Sequence, residues 1–147
     1  PLIKFDIRTI AYIKKVVTEK NDESGVVMMI KDLSDLHIPE RFMKKLIKDM
    51  DYLLGYEALD IEEVILFGSC ARGTCKVTSD IDILVITKES IERYVRGDIA
   101  SELDEEVEGV RTDVVFYSRQ VFETSTSLLV KQINQDGIII YNNKGIV

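Results

Sequence analysis

Between Val64 and Thr87 the chain writes two short apolar runs on either side of a polar loop, and this pattern limits the available folds more than any other feature. Val64-Ile65-Leu66-Phe67 is stopped by Gly68-Ser69. Ten residues later Asp80-Ile81-Asp82-Ile83-Leu84-Val85-Ile86-Thr87 alternates and is rich in β-branched residues. Both runs read as strands of a buried sheet. Side chains alternate along a strand, so Asp80 and Asp82 share one face, with Cα atoms roughly 6–7 Å apart, while Ile81, Ile83 and Val85 share the other. Leu84 and Ile86 follow the acids on their own face. That face is therefore buried from Leu84 onward, and the two acids stand where it opens.

The remaining segments supply helices and two further strands. Ile7, Ile10, Ile13 and Val17 recur at helical spacing up to the polar turn at 21–25, and a short apolar helix runs from Val26 to about Leu33. Pro39 stands where a first helical residue would, ahead of the stripe Phe42, Leu46, Met50, Leu53 and Leu54. Arg41, Lys44, Lys45 and Lys48 are expected on the exposed side of that helix, and His37 as a cap or surface residue. Ile91, Val95, Ile99, Leu103 and Val107 lie four apart and predict a helix over 91–108 with an acidic outer face. Thr112 to Tyr117 reads as a strand, Leu128 to Asn134 as a helix, and Ile138 to Tyr141 as a last strand after the turn Asp136-Gly137. The expected fold class is α/β (α+β), a small mixed β-sheet flanked by helices. An N-terminal helical segment, residues 1–60, would pack on a core domain of residues 61–147.

Composition removes several function classes. With 147 residues, 46% of them apolar and 31% charged, the chain can bury a core of its own as one domain. No apolar run approaches the ~20 residues of a membrane-spanning helix, and residues 1–6 carry no secretory leader pattern. Two cysteines, Cys70 and Cys75, make no disulfide framework and read as unreactive loop residues, and a single histidine nearly excludes a Cys/His zinc site. A cytoplasmic protein is expected. The net charge of −7 speaks against an extensive grip on nucleic acid.

Two carboxylates as close as Asp80 and Asp82 repel one another unless a cation sits between them. Mg²⁺ is the hard ion that carboxylates and phosphates share. Gly68, lacking a Cβ, lets backbone approach a ligand closely. Ser69 offers a hydroxyl, the N–H groups of Cys70 to Arg72 would form an anion site if they begin a helical turn, and Arg72 adds positive charge. A third carboxylate would complete a two-metal site, and Asp113, at the start of an apolar strand, is the best candidate. Asp104 to Glu106 and Glu108 are expected on a helix whose apolar stripe faces away.

Gly68-Ser69, ten residues, Asp80-x-Asp82 and a distal Asp113 resemble the nucleotidyltransferase superfamily related to DNA polymerase β. The stretch Leu66 to Ile86 is similar to its minimal prokaryotic (MNT) branch, in which a basic residue is common where Cys70 stands. Four such fixed positions match by chance about once in 10⁵ windows. The resemblance covers roughly Val64 to Tyr141. It implies a polymerase β-like fold in which Gly68 and Ser69 hold a triphosphate, with Arg72 and Lys131 as further nucleotide contacts. Asp80, Asp82 and Asp113 would be the catalytic residues and the ligands of two Mg²⁺ ions, or Mn²⁺. The implied activity is transfer of a nucleoside monophosphate, AMP from ATP, to an acceptor hydroxyl with release of pyrophosphate. Minimal members are often paired with a HEPN-type toxin protein, so a partner protein is the leading acceptor and a small, antibiotic-type molecule the second. A homo-oligomer could also complete the acceptor pocket. A nucleotide-binding or partner-neutralising module with little turnover is the alternative outside enzymes.

Overall fold

The computed structural model describes residue 36 and residues 38–143. The helices expected over 7–17 and 26–33, and His37, lie outside the described residues. Within them the chain runs α1 (Glu40–Leu54), β1 (Ile61–Phe67), β2 (Ile81–Thr87), α2 (Arg93–Leu103), β3 (Thr112–Ser118), α3 (Arg119–Thr124), α4 (Leu128–Asp136) and β4 (Ile138–Asn142). The strands form one mixed sheet in the order β3-β2-β1-β4. β1 is antiparallel to both β2 and β4, whereas β2 and β3 are parallel, with α2 in the connection that a parallel pair requires. The expected fold class is the one observed.

Alternation divides the sheet into two apolar faces. Ile81, Ile83 and Val85 join Val64 and Leu66 under α1 and α2, in a core that includes Phe42, Leu46, Met50, Ile99 and Leu103. Leu84, Ile86 and Ile65 lie on the opposite face with Ile133 of α4, flanked by Phe122 and Leu129. Asp82 shares this second face. Phe42, Met43, Leu46, Ile47, Met50 and Leu53 of α1 are fully buried, each contributing about 1.5–3 kcal/mol of transfer free energy. Among the described residues no helix is long and apolar enough to cross a membrane.

Several local expectations need correction. Pro39 is the residue before α1 rather than its first helical one; its extended backbone presents a carbonyl to the N–H groups of Phe42 and Met43. α2 stops at Leu103, well short of 108, and Val107 pairs with Val110 across a two-residue turn. α3 was not expected at all. Ser118, the last residue of β3, caps it by accepting a hydrogen bond from the Val121 N–H at 3.3 Å.

The largest departure is Lys45, which is only 1% exposed. Its ammonium donates to Asp49 Oδ1 at 2.6 Å, one helical turn on, and to the Leu103 carbonyl at the end of α2 at 2.7 Å. The Thr112 hydroxyl, at the start of β3, donates to the other oxygen of Asp49. Burial raises the Asp49 carboxyl above its ordinary range, against the pull of Lys45 and Thr112. One ion pair thus fastens α1 to the end of α2 and to the first residue of β3. Breaking a buried pair leaves an uncompensated charge, so Asp49→Ala is expected to lose about 3–5 kcal/mol of unfolding free energy in urea titrations. The double substitution Lys45→Met with Asp49→Leu should recover much of that loss. Equal losses in the single and double variants would show that the stranded charge is not the cause.

Candidate active site

Antiparallel pairing of β1 with β2 sets Phe67 opposite Asp82, and the chain leaves β1 at Gly68 with φ +76°. That left-handed conformation suits glycine. A methyl group built there would collide with the Asp82 carboxylate, so a side chain at position 68 would displace the acid. After Gly68 the chain makes a single tight turn. The Arg72 N–H donates to the Gly68 carbonyl at 3.2 Å, and the Thr74 N–H to the Ser69 carbonyl at 2.9 Å. Of the three N–H groups expected to face an anion, that of Arg72 is therefore engaged within the turn itself. Cys70 is buried, its thiol donating to the Asp80 carbonyl at 3.7 Å. Burial and the neighbouring Cys75 push this thiol up to about 12, which keeps it protonated and inert at neutral pH.

The acids come together through strand register. Asp82 of β2 and Asp113 of β3 are Cα partners in the parallel pair, and the Ile81 N–H donates to the Arg111 carbonyl at 2.9 Å to start that register. Asp80, the residue before β2, and Asp113 are exposed, whereas Asp82 is half-buried. Burial raises the Asp82 carboxyl to about 6, with Asp113 and Asp80 adding to the shift and Arg72 opposing it. The Asp113 carboxyl is raised by burial, then by Asp80 and by Asp104. Asp82 therefore feels both other acids and Asp113 feels Asp80, while Arg72 acts on Asp82 from the turn.

Among the described residues no lysine or arginine stands within ion-pair distance of Asp80, Asp82 or Asp113. Arg111, which could have neutralised Asp113, lies instead 4.0 Å from Glu106. At the opposite end of the sheet the carboxylates share a cation, with Arg119 at 2.8 Å from Glu62 and 3.6 Å from Glu63. Also among the described residues, no three His, Cys, Asp or Glu side chains stand close enough to share an ion as placed. The acids are gathered at one end of the sheet without forming a finished ligand set. Lys131 lies exposed on α4, with no ion pair tying it to the acids.

Asp104, which a helix running to 108 would turn away from the site, bears on it nonetheless. It lies just beyond the end of α2, so its charge reaches Asp113. The four-residue apolar spacing running on to Val107 conceals the early end of that helix.

Residues 52–145 match the family described as Polymerase beta, Nucleotidyltransferase. Solved structures of similar fold include a Sulfolobus solfataricus protein provisionally described as a nucleotidyltransferase. It is 20% identical, with TM-score 0.50, over 82% of this chain and 93% of that one. A toxin–antitoxin structure with AMP-PNP contains a chain 23% identical, with TM-score 0.49, over 69% of this chain and 73% of its own. The complex of a tri-AMPylated Shewanella oneidensis HEPN toxin with MNT antitoxin contains one that is 17% identical, with TM-score 0.45, over 68% and 74%. No curated protein matches the sequence. At 20% identity the likeness to the Sulfolobus solfataricus protein is one of fold alone. The family match spans well over half of the chain and takes in the Gly68-Ser69 turn and all three acids, so the chain belongs to the polymerase beta nucleotidyltransferase family.

Proposed function

We propose that the protein transfers AMP from ATP to an acceptor hydroxyl, releasing pyrophosphate. The observation that carries this reading is the set of three mutually repelling carboxylates, unpaired among the described residues, beside a glycine turn. Such a donor set fits a hard divalent cation. Asp80, Asp82 and Asp113 would hold Mg²⁺, or Mn²⁺, after side-chain rotation. Bound ions there would neutralise the triphosphate and lower the pKa of the acceptor hydroxyl.

The chain's own residues supply binding and orientation. Gly68 leaves room for phosphate oxygens, the Ser69 hydroxyl donates to them, and Arg72 offsets their charge, with Lys131 as a further contact from α4. Asp113 helps remove the acceptor proton. The acceptor oxygen forms its bond to the α-phosphorus as the bond to the bridging oxygen breaks, and pyrophosphate departs; no covalent enzyme intermediate is needed. Asp80 and Asp113 are exposed, so a large acceptor can reach the site. With the resemblance of Leu66–Ile86 to the minimal branch, this favours a hydroxyl on a partner protein of the HEPN type over one on a small molecule.

Incubation with α-labelled ATP and Mg²⁺ or Mn²⁺, with and without the product of the neighbouring reading frame, tests the proposal. Label should move to protein in wild type, stop with EDTA, and fall on the order of 100-fold or more in Asp82→Asn. Nucleotide binding without label transfer to any acceptor would favour a partner-neutralising module instead.

The Asp82 carboxyl adds a pH signature. In the native chain it keeps its proton to about pH 6, against an ordinary 3.8. The native state thus binds this proton more tightly than the unfolded chain. The group's contribution to stability is greatest below about pH 4, falls as the pH rises, and levels off above about 6. Asp82→Asn should remove that slope from thermal unfolding of the metal-free protein. Added Mg²⁺ should raise the melting temperature above about pH 6 and not below about pH 4. A slope that survives Asp82→Asn would place the titration on another group.

A further inference from the structure

Arg41, near the start of α1, lies outside the segment that matches the family. It is also not the solvated surface charge that its sequence position predicts. One nitrogen, Nη2, donates to the Val77 carbonyl at 2.8 Å, and the other, Nη1, donates to the Glu108 carbonyl at 3.1 Å. The guanidinium carbon stands 4.6 Å from the ring centre of Phe42, which is fully buried. Val77 lies three residues before Asp80, and Glu108 five residues before Asp113. We infer that Arg41 is a positioning residue for the acid cluster: it fastens the loop that delivers Asp80 to the turn that delivers Asp113.

Both segments need such an anchor. Val77 is 79% exposed, so packing does little to hold the loop there. Its nearby bonds are local, the Lys76 N–H to Ser79 Oγ at 2.7 Å and the Ser79 N–H to the Lys76 carbonyl at 3.0 Å. The second segment is a two-residue turn closed by reciprocal bonds between Val107 and Val110, of 3.0 and 2.9 Å. Its central residues, Glu108 and Gly109, have φ +50° and +81°. Positive φ at both positions is what this tight hairpin turn demands, and Glu108 is strained in it because it carries a Cβ. A Cβ on Gly109 would come within 3.3 Å of the Arg41 guanidinium, so glycine there also lets the arginine approach. A planar fork with two diverging donors spans both carbonyls at once; a lysine ammonium, as a single point, matches that geometry poorly.

On the metal-binding reading above, loss of this clamp should loosen both acids while the sheet stays folded. The test compares Arg41→Ala and Arg41→Lys with Lys44→Ala, which removes a like charge from the same helix without touching either segment. Amide hydrogen exchange is followed in peptides covering 74–82, 106–113 and 61–67, and Mn²⁺ uptake by paramagnetic resonance titration. Arg41→Ala should speed exchange in the first two peptides and spare the third. It should weaken Mn²⁺ binding about tenfold, consistent with the penalty for small misplacements of active-site groups. Arg41→Lys should fall between Arg41→Ala and wild type, and Lys44→Ala should match wild type. Should Arg41→Ala fail to fold, Arg41→Lys carries the comparison, and wild-type exchange and uptake in it would overturn the inference. The same holds if Arg41→Ala folds and leaves both readings unchanged. Wild-type protein that takes up no Mn²⁺ overturns the reading of the site, a result distinct from uptake that ignores Arg41.

Discussion

Asp82 and Asp113 are held side by side by the parallel register of β2 and β3, and the rest of the molecule follows from that juxtaposition. Two carboxylates on neighbouring strands repel, and burial of one makes the repulsion costlier, as the upward shift of Asp82 to about 6 records. Left to itself, such a pair would be relieved by a one-residue slip or by fraying of the strand start. The slip is blocked because it would move Leu84 and Ile86 out of one core and Ile83 and Val85 out of the other. A slip would also carry Asp82 from its own face to the one packed under α1 and α2, so the packed register maintains an unfavourable electrostatic arrangement.

Fraying is opposed from the other side, by α1. Thr112, adjacent to Asp113, hydrogen-bonds to Asp49, and Lys45 joins Asp49 to the Leu103 carbonyl. A buried ion pair is weak evidence of stability in itself, because desolvation offsets much of the attraction. Its geometry has more consequence than its energy. The pair accepts and donates at fixed points on three elements, so the start of β3 cannot shift without leaving one buried oxygen of Asp49 without its donor. The uncharged Thr112 hydroxyl thereby conveys the constraint to the strand that bears the acid.

The sheet itself was legible because alternation is a short-range signal. Ile81, Ile83 and Val85 on one face and Leu84 and Ile86 on the other could be assigned by counting, and the structure packs them so. The Gly68-Ser69 turn and the strand carrying Asp82, with Asp80 just ahead of it, were likewise visible as a local pattern. Lys45 was misread because lysine is almost never fully buried unless paired. Yet its place three residues after Phe42, with Asp49 one turn on and three after Leu46, set both charges on the apolar stripe. The turn at Glu108-Gly109 was hidden by the spacing of Leu103 and Val107. A glutamate in the left-handed region carries no propensity signal. Arg41 was invisible in principle, since its partners are backbone carbonyls 36 and 67 residues away, and a carbonyl has no residue type.

The two ends of the sheet handle negative charge differently, and the difference separates structural acids from acids available for chemistry. At one end Glu62 and Glu63 are both paired with Arg119, which also begins α3. At the other, Arg41 and Lys45 approach the acid-bearing segments but direct their donors at main-chain carbonyls and at Asp49, away from the three aspartates. Had either cation paired with Asp82 or Asp113, the strand ends would be steadier and the carboxylates lower in pKa, but their oxygens would be occupied. Holding the backbone with cations, while the acid side chains stay unpaired among the described residues, keeps the acids in place and their lone pairs accessible. On the proposed reading, an exogenous cation would supply the missing charge at the cluster, and its binding energy would draw the carboxylates together.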